Sequence, residues 1–374
     1  MAVVIKEVKK RQDLKRWVDF PTKLYKNNKY YCPFLRSDEI STFSENKNPA
    51  YEFCETKLFL AYKDNKIVGR IAGLINHAYN KKWNKNAIRF TRFDFIDDYE
   101  VSAALFDEVV KWGRQRNHNS IMGPIGFTDM DHEGMLVEGF EEYNLSITFY
   151  NHPYYLDHME KLGLRKDIDW IEKQIKVPEK VDERLEKVSN YIMKKNGYKL
   201  VTYSNRKVLI KEAHEAFKVI DEAFSKLYGT VPLTQKVISQ AIADNISMVN
   251  MKYIFSIKNT QDKIIGFAVL VPSIAKALKK SNGKMFPFGV FRLLKALNGH
   301  NDVLEMFFVA VKPEYQMKGL TSLLLQHAIK VCIENNVKYC ETGPELETNI
   351  EVQSMWKGFE VRQHRRRRCY IKEI

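Results

Sequence analysis

Cysteine is scarce and unpatterned in this chain. Cys32, Cys54, Cys332, Cys340 and Cys369 are odd in number and show no CxxC or CxxH spacing, so neither a zinc knuckle nor a disulfide framework is implied, and a reducing compartment is expected. Long hydrophobic runs are missing too. No stretch approaches the roughly 18 consecutive apolar residues of a transmembrane helix, and the N-terminus, MAVVIKEVKKRQDLKRW, offers only Ala2–Ile5 before charge sets in. That is too short for the core of a signal peptide, and the expected location is cytoplasmic. Low-complexity tracts are absent. Acidic residues fall short of basic ones, 46 against 60, for a formal charge of +14. Such an excess steers an anionic partner towards the surface without choosing among a coenzyme, a nucleic acid and a lipid headgroup.

What is there suits a globular α/β protein. At 374 residues, 45% of them apolar, the chain is comfortable as two domains, each with its own core. The most informative stretch is Val303–Ala328. Val303–Val311 is long enough for a buried strand, Pro313 stops it, and an amphipathic helix is expected from near Gly319. The turn between them is Gln316-Met317-Lys318-Gly319-Leu320-Thr321. A helix N-terminus presents unpaired N–H groups and the positive end of its dipole, so a turn there with a glycine and a lysine can hold a phosphate or pyrophosphate.

Val311–Thr321 resembles motif A of the GNAT (Gcn5-related N-acyltransferase) superfamily, Q/R-x-x-G-x-G/A after a strand. The resemblance implies that this strand splays from its neighbour, that the gap takes the pantetheine arm of acetyl-CoA or another acyl-CoA, and that the turn binds the pyrophosphate. Val309 and Val311 would then bond the pantetheine through backbone, and Gln316, Met317, Lys318, Gly319, Leu320 and Thr321 would hold the pyrophosphate. Thr321 departs from the family's Gly/Ala, and its branched hydroxyl either crowds the phosphates or donates to them. Downstream, many members carry an Asn, then seven residues later a Tyr that protonates the departing thiolate, then Gly-Phe. Here Asn349, Gly358 and Phe359 match, and the resemblance implies a catalytic and cofactor-binding place for Asn349, whereas Trp356 stands where the Tyr would be. An indole N–H donates a hydrogen bond but is no usable acid.

The pattern repeats along the chain. Leu58–Tyr62 and Ile67–Ile75, joined by a polar turn, are echoed by Ile254–Ile257 and Ile264–Val269, with Gly69 matching Gly266. The helix Ala103–Trp112 followed by Gly123-Pro124 is echoed by Leu323–Cys332 followed by Gly343-Pro344. Two echoes in the same order argue for duplication: two tandem GNAT-like domains, residues 1–175 and 176–374, each a mixed sheet flanked by helices. The second spacing is the longer, which puts an insertion within residues 272–301, basic and amphipathic through Phe286, Phe288, Phe291, Leu294 and Leu297. In order of preference it packs on the first copy, covers the acceptor site, or lies on a membrane surface. Where the first copy should have its own cradle stand Asp97, Asp98 and Glu100, whose charge repels a pyrophosphate. The first copy is therefore expected to lack a cofactor site.

Locally, Pro21 is expected to break the first helix, residues 22–56 to be irregular, Val208–Ile210 to be strand, and Thr234 to cap a helix running towards Asn245. For the general base the candidates are Glu305, on the cofactor strand, and Glu341, at the end of the neighbouring one; Glu345 and Glu347 read as exposed loop acids. The loop 125–151 carries Asp129, Asp131, His132, Glu133 and Glu138, read as a solvated loop or acceptor contact before a metal site. Arg362 and Arg365–Arg368 read as arginines of a final two-sided strand that face solvent and the first copy's acids, or as a run that binds the phosphates of RNA or of the coenzyme A ribose. The resulting expectation is transfer of an acyl group from a coenzyme A thioester to a small-molecule or peptide amine, with no stable DNA complex. Two rivals stand beside it. A Fem-type aminoacyl-tRNA-dependent transferase would bind RNA, and a degenerate, non-catalytic GNAT module would bind acyl-CoA as a regulator.

Overall fold

Alternating apolar residues build strands throughout, and a computed structural model describes residues 2–246 and 249–374. The strands are β1 (Val4–Glu7), β2 (Cys54–Lys63), β3 (Lys66–Asn76), β4 (Ala87–Phe95), β5 (Ser120–Gly123), β6 (Met135–Glu138), β7 (Arg165–Lys176), β8 (Lys199–Thr202), β9 (Ile254–Lys258), β10 (Ile264–Pro272), β11 (Val303–Val311), β12 (Tyr339–Thr342), β13 (Glu345–Leu346) and β14 (Val361–Glu373). The helices are α1 (Arg11–Leu24), α2 (Arg36–Thr42), α3 (His77–Trp83), α4 (Tyr99–Gln115), α5 (Tyr155–Lys161), α6 (Glu183–Asn196), α7 (Arg206–Phe224), α8 (Gln235–Asn245), α9 (Ala275–Lys280), α10 (Gly289–Asn298), α11 (Leu320–Glu334) and α12 (Ile350–Ser354).

One continuous sheet runs β1-β2-β3-β4-β5-β14-β7-β12-β11-β10-β9-β8, with β13 on β7 and β6 on β14. The order is a palindrome of two halves. In each, an antiparallel meander (β1 to β4, β8 to β11) is followed by a helical crossover (α4, α11) to a parallel neighbour (β5, β12). The two halves then exchange their last strands. β7, from the end of the first half, pairs with β12, while β14, from the end of the chain, lies between β5 and β7. The expected division at 175/176 is thus crossed by β14, which belongs to the second half by chain and joins both by pairing.

Each half has its own core. One is built from Phe90, Phe95, Leu105, Phe106 and Val109 between α4 and the first meander. The other is built from Phe255, Leu304, Leu320, Leu323, Leu324 and Trp356 around α11.

Three local expectations are corrected. Pro21 does not end α1 but sits inside its last turn. Proline lacks the N–H that would bond the carbonyl of Trp17, and the Arg70 guanidinium donates to that carbonyl instead, at 3.1 Å. Residues 22–56 are not irregular throughout, since they contain α2 and a 3-10 turn over Pro49–Glu52. Val208–Ile210 is helical, within α7, because the amphipathic period that buries Leu209, Val219 and Ile220 outweighs local β propensity. Thr234 accepts from the Val237 N–H at the start of α8, as a helix cap does.

Candidate acyl-transfer site

β11 and β12 run parallel from Val303/Tyr339 to Met306/Thr342, and there the pairing stops. β12 ends while β11 continues to Val311, leaving one edge of Phe307–Val311 unpaired by β12. The other edge is held by β10, with Ala310 opposite Phe267 and the Lys312 N–H donated to the Ile265 carbonyl. Strand alternation then turns the peptide groups of Val309 and Val311 towards the gap. Leu304 and Glu305 are buried, whereas Met306 to Val309 are half-exposed.

The gap leads to the turn before α11. Gln316 folds back so that its Nε2 donates to the Val311 carbonyl at 3.2 Å. Met317 (φ 60°) and Gly319 (φ 81°) take left-handed backbone, and Gly319 is the helix N-cap, without a capping side chain. The first N–H groups of α11 therefore have no side-chain partner. A Cβ on Gly319 would stand 2.4 Å from Ile192 Cδ1 of α6, so both conformation and space call for glycine here. Lys318 and Met317 are exposed, Leu320 is buried, and Thr321 is half-buried in the first turn of α11. Backbone donors with a lysine beside them suit the pyrophosphate of a coenzyme A thioester.

Glu305 sits at the point where the strands part. It is fully buried and accepts hydrogen bonds from Ser273 Oγ at 2.6 Å and Ser146 Oγ at 3.1 Å. Burial pushes its carboxyl up to about 7, against the two serine bonds, with the neighbouring Glu341 charge pushing the same way as burial. Ser146 comes from the 125–151 loop, so the first half supplies one wall. The two serines were not foreseen in the sequence: isolated Ser residues far apart in the chain carry no spacing signal.

Glu341 behaves oppositely. Burial would raise it, but the adjacent His364 and the Arg365 guanidinium outweigh that and hold it at about 2. Arg365 lies 2.5 Å from Glu341 Oε2, and Gln174 Nε2 donates to Oε1 at 2.9 Å. His364 Nε2 is 3.1 Å from the same carboxylate, but at an angle that makes no hydrogen bond. Asn349 caps α12, its Oδ1 accepting from the Val352 N–H at 3.3 Å. Trp356 is packed in the core of the second half and donates its indole N–H to Glu345 at 2.8 Å.

Glu345 and Glu347 are not exposed loop acids. Glu345 is buried against Lys173, and Glu347 is half-buried, taking Lys166 and Arg366. The arginine run does meet the first copy's acids, but beyond the exposed Arg362 it is largely withdrawn from solvent. Arg365 and Arg367 are fully buried and both clamp Glu172, while Arg366 and Arg368 reach Asp169 on the other face of β14. The charge is spent inside the protein, which removes the run as a phosphate surface. The 125–151 loop is likewise far from solvated. Asp131 is largely withdrawn from solvent and bonded to the buried Arg92, which also holds Glu39. Among the described residues no group of three His, Cys, Asp or Glu side chains converges on a metal position.

The first half has the same parting of strands, beyond Arg89/Met122. There Tyr155 Oη accepts from the Phe95 N–H at 3.0 Å and Tyr154 Oη donates to the Phe95 carbonyl at 2.6 Å, so two side chains occupy the strand edge. Asp98 caps α4 from where the second half has Gly319, and it pairs with Lys63 at 2.7 Å.

Comparison with known proteins agrees with this fold. The sequence pattern of the acetyltransferase (GNAT) family matches residues 222–359. Protein YghO of Escherichia coli (strain K12) is 26% identical over 97% of this chain and 94% of its own length. A bacterial ceramide synthase of Caulobacter vibrioides is 22% identical over 77% of this chain and 74% of its own. Among solved structures, a tandem GNAT protein from the clavulanic acid biosynthesis pathway superposes with a TM-score of 0.57 at 11% identity, over 99% of this chain and 98% of that one. No described helix is long and apolar enough to cross a membrane. With its paired meanders, its parted strands and a match to the acetyltransferase (GNAT) family over residues 222–359, this chain has the tandem GNAT fold.

Proposed function

We propose that the chain is an N-acyltransferase that uses acetyl-CoA or another acyl-CoA, bound between β11 and β12, to acylate an amine, with Glu305 as general base. The observation that carries this is the placement of a buried carboxyl with a pKa near neutrality where the two strands part, above the Gly319 turn. Val309 and Val311 would line the pantetheine and Gln316–Thr321 the pyrophosphate. Glu305 accepts one proton from the acceptor's ammonium. The freed nitrogen lone pair forms the C–N bond, the C–S bond breaks with its electron pair on sulfur, and the nitrogen's second proton passes to the thiolate. That route needs no acid at Trp356. Glu341, held ionised by Arg365, serves as a fixed charge that keeps Glu305 hard to ionise, and Asn349 shapes the loop after β12.

The caulobacterial relative's name directs the choice of acceptor. Ceramide is an N-acylated long-chain amino alcohol, so long-chain amines belong in the first screen beside small polar amines and peptides. The burial of the arginine run weighs against the aminoacyl-tRNA reading.

The test is release of free coenzyme A thiol from acetyl-, medium- and long-chain acyl-CoA in the presence of each amine class, with wild type and Glu305→Gln. Amine-dependent thiol release that the substitution lowers by about 10²-fold or more supports the reading. Stabilisation by acyl-CoA without turnover for any amine would leave a binding module and sink the enzyme.

A further inference from the structure

The insertion between β10 and β11 packs by one face only. Its inner residues, Ala275, Leu278, Leu293 and Leu297, close a small core with Cys32 and Leu35 of the first half. The Gly283 carbonyl accepts the Arg36 N–H at 2.8 Å, and a Cβ on Gly283 would meet the Phe34 carbonyl, so the turn between α9 and α10 is docked closely. Arg292 donates to the Lys280 carbonyl at 2.8 Å, fixing α10 on the end of α9. The outer face is a different surface. Phe286 is 81% exposed, Phe291 68%, Phe288 64% and Leu294 48%, the largest grouping of exposed aromatic rings among the described residues.

The surrounding charge is of one sign. From Ile264 to Asn301 there is no Asp or Glu, and Lys276, Lys280, Lys284, Arg292 and Lys295 are all exposed. Among the described residues none of the five makes an ion pair. The arginines of β14, by contrast, are each paired with an acid. Here apolar rings project on a rigid base, ringed by cations whose long stems can lie along an apolar surface while their heads stay in water.

We propose that this face docks the protein on an anionic lipid bilayer, with Phe286, Phe288, Phe291 and Leu294 seated among the upper acyl chains and the surrounding lysines and Arg292 on the headgroups. Aromatic rings with a basic rim are the composition of a segment that lies in the interface, and each cation near an anionic surface adds attraction. A second copy of the chain is the poorer occupant: a symmetric contact would set these cations against their own counterparts with no acid between them. Ser273, which bonds Glu305, lies two residues before the start of α9, so docking places the bilayer near the connection that carries the site. The surface does not depend on the acyl-transfer reading, because vesicle binding is measured without an acyl donor.

The experiment is co-sedimentation of the full chain with vesicles of phosphatidylcholine alone and of phosphatidylcholine with about 30% phosphatidylglycerol, at moderate and high salt. Partition to the anionic vesicles should exceed that to the neutral ones by about tenfold and fall with salt. Phe286→Ser with Phe291→Ser, and separately Lys280→Glu with Lys284→Glu, should each lower it by about tenfold. The thermal midpoint should not move, since these side chains are exposed. Failure to bind either vesicle, equal binding to both, or binding that survives the phenylalanine pair overturns the proposal. So does a wild-type dimer in light scattering that the phenylalanine pair dissolves.

Discussion

Glu305 and Glu341 face each other as register partners across the parallel pair β11–β12, and they titrate in opposite directions. One has only two serine hydroxyls and is pushed up to about 7 by burial. The other has Arg365 and is held at about 2. Environments that drive two neighbouring carboxyls apart are how a fold provides one proton acceptor and one permanent charge.

This pair predicts a pH profile. If Glu305 is the base, kcat/KM rises with pH through an apparent pKa near 7, and Glu305→Gln lowers kcat by about 10²- to 10⁴-fold and removes the limb, with the KM for acyl donor little changed. The stability sign follows from the same raised value. Between the ordinary carboxylate range and about 7 the folded chain holds a proton that the unfolded chain has lost, so Glu305 disfavours the fold increasingly as pH rises through that window. Glu305→Gln should therefore be at least as stable as wild type at pH 8 by urea denaturation. A marked loss there would contradict the assignment.

Glu341 gives the opposite sign. Its folded value lies below the unfolded one, so its contribution is present above the ordinary carboxylate range and is lost as pH falls towards about 2. Glu341→Gln should remove part of the acid destabilisation between pH 4.5 and 2, read as a shallower fall of the urea midpoint.

The exchange of last strands predicts where stability is concentrated. Glu172 on β7 is the common partner of Arg365 and Arg367 on β14, all three fully buried. Glu172→Ala leaves two buried guanidinium groups short of their counter-charge and should cost about 3–5 kcal/mol. Glu142→Ala, which removes the half-buried partner of the exposed Arg362, should cost about 1 kcal/mol or less. Equal effects in urea denaturation would contradict the burial argument.

Gly319→Ala should separate binding from folding. A left-handed residue gaining a Cβ costs about 1 kcal/mol, and the added atom meets Ile192 Cδ1, the movable end of a side chain. The stability loss should be modest, while the rise in thermal midpoint on adding acetyl-CoA should largely vanish. A full ligand-induced rise in the alanine variant would move the pyrophosphate away from this turn.

Tyr155→Phe tests the first half. The hydroxyl stands between the Phe95 N–H and Tyr25 Oη, both buried. Removing it leaves a buried donor unmet and should cost about 1–3 kcal/mol. The acyl-CoA-induced shift in midpoint should be unchanged, because that strand edge is held by side chains.

The sequence by itself determined the parts that depend on neighbours in the chain. The strand, the Pro313 stop and the turn ending in Gly319 were legible because hydrophobic period and glycine's freedom are local properties. The duplication was legible because both halves repeat the same period and punctuation, and the place of the insertion followed from it. What the tertiary structure decided depends on partners far apart in the chain. Pro21 stays helical because Arg70 supplies the bond that proline removes. That the arginines of β14 meet the first half's acids was readable, but the burial of Arg365 and Arg367 around Glu172 comes only from the strand exchange. Glu305 and Glu341 are the same residue type at the same register of neighbouring strands, and no spacing tells them apart. Their difference comes from whether a serine or an arginine fills the third dimension.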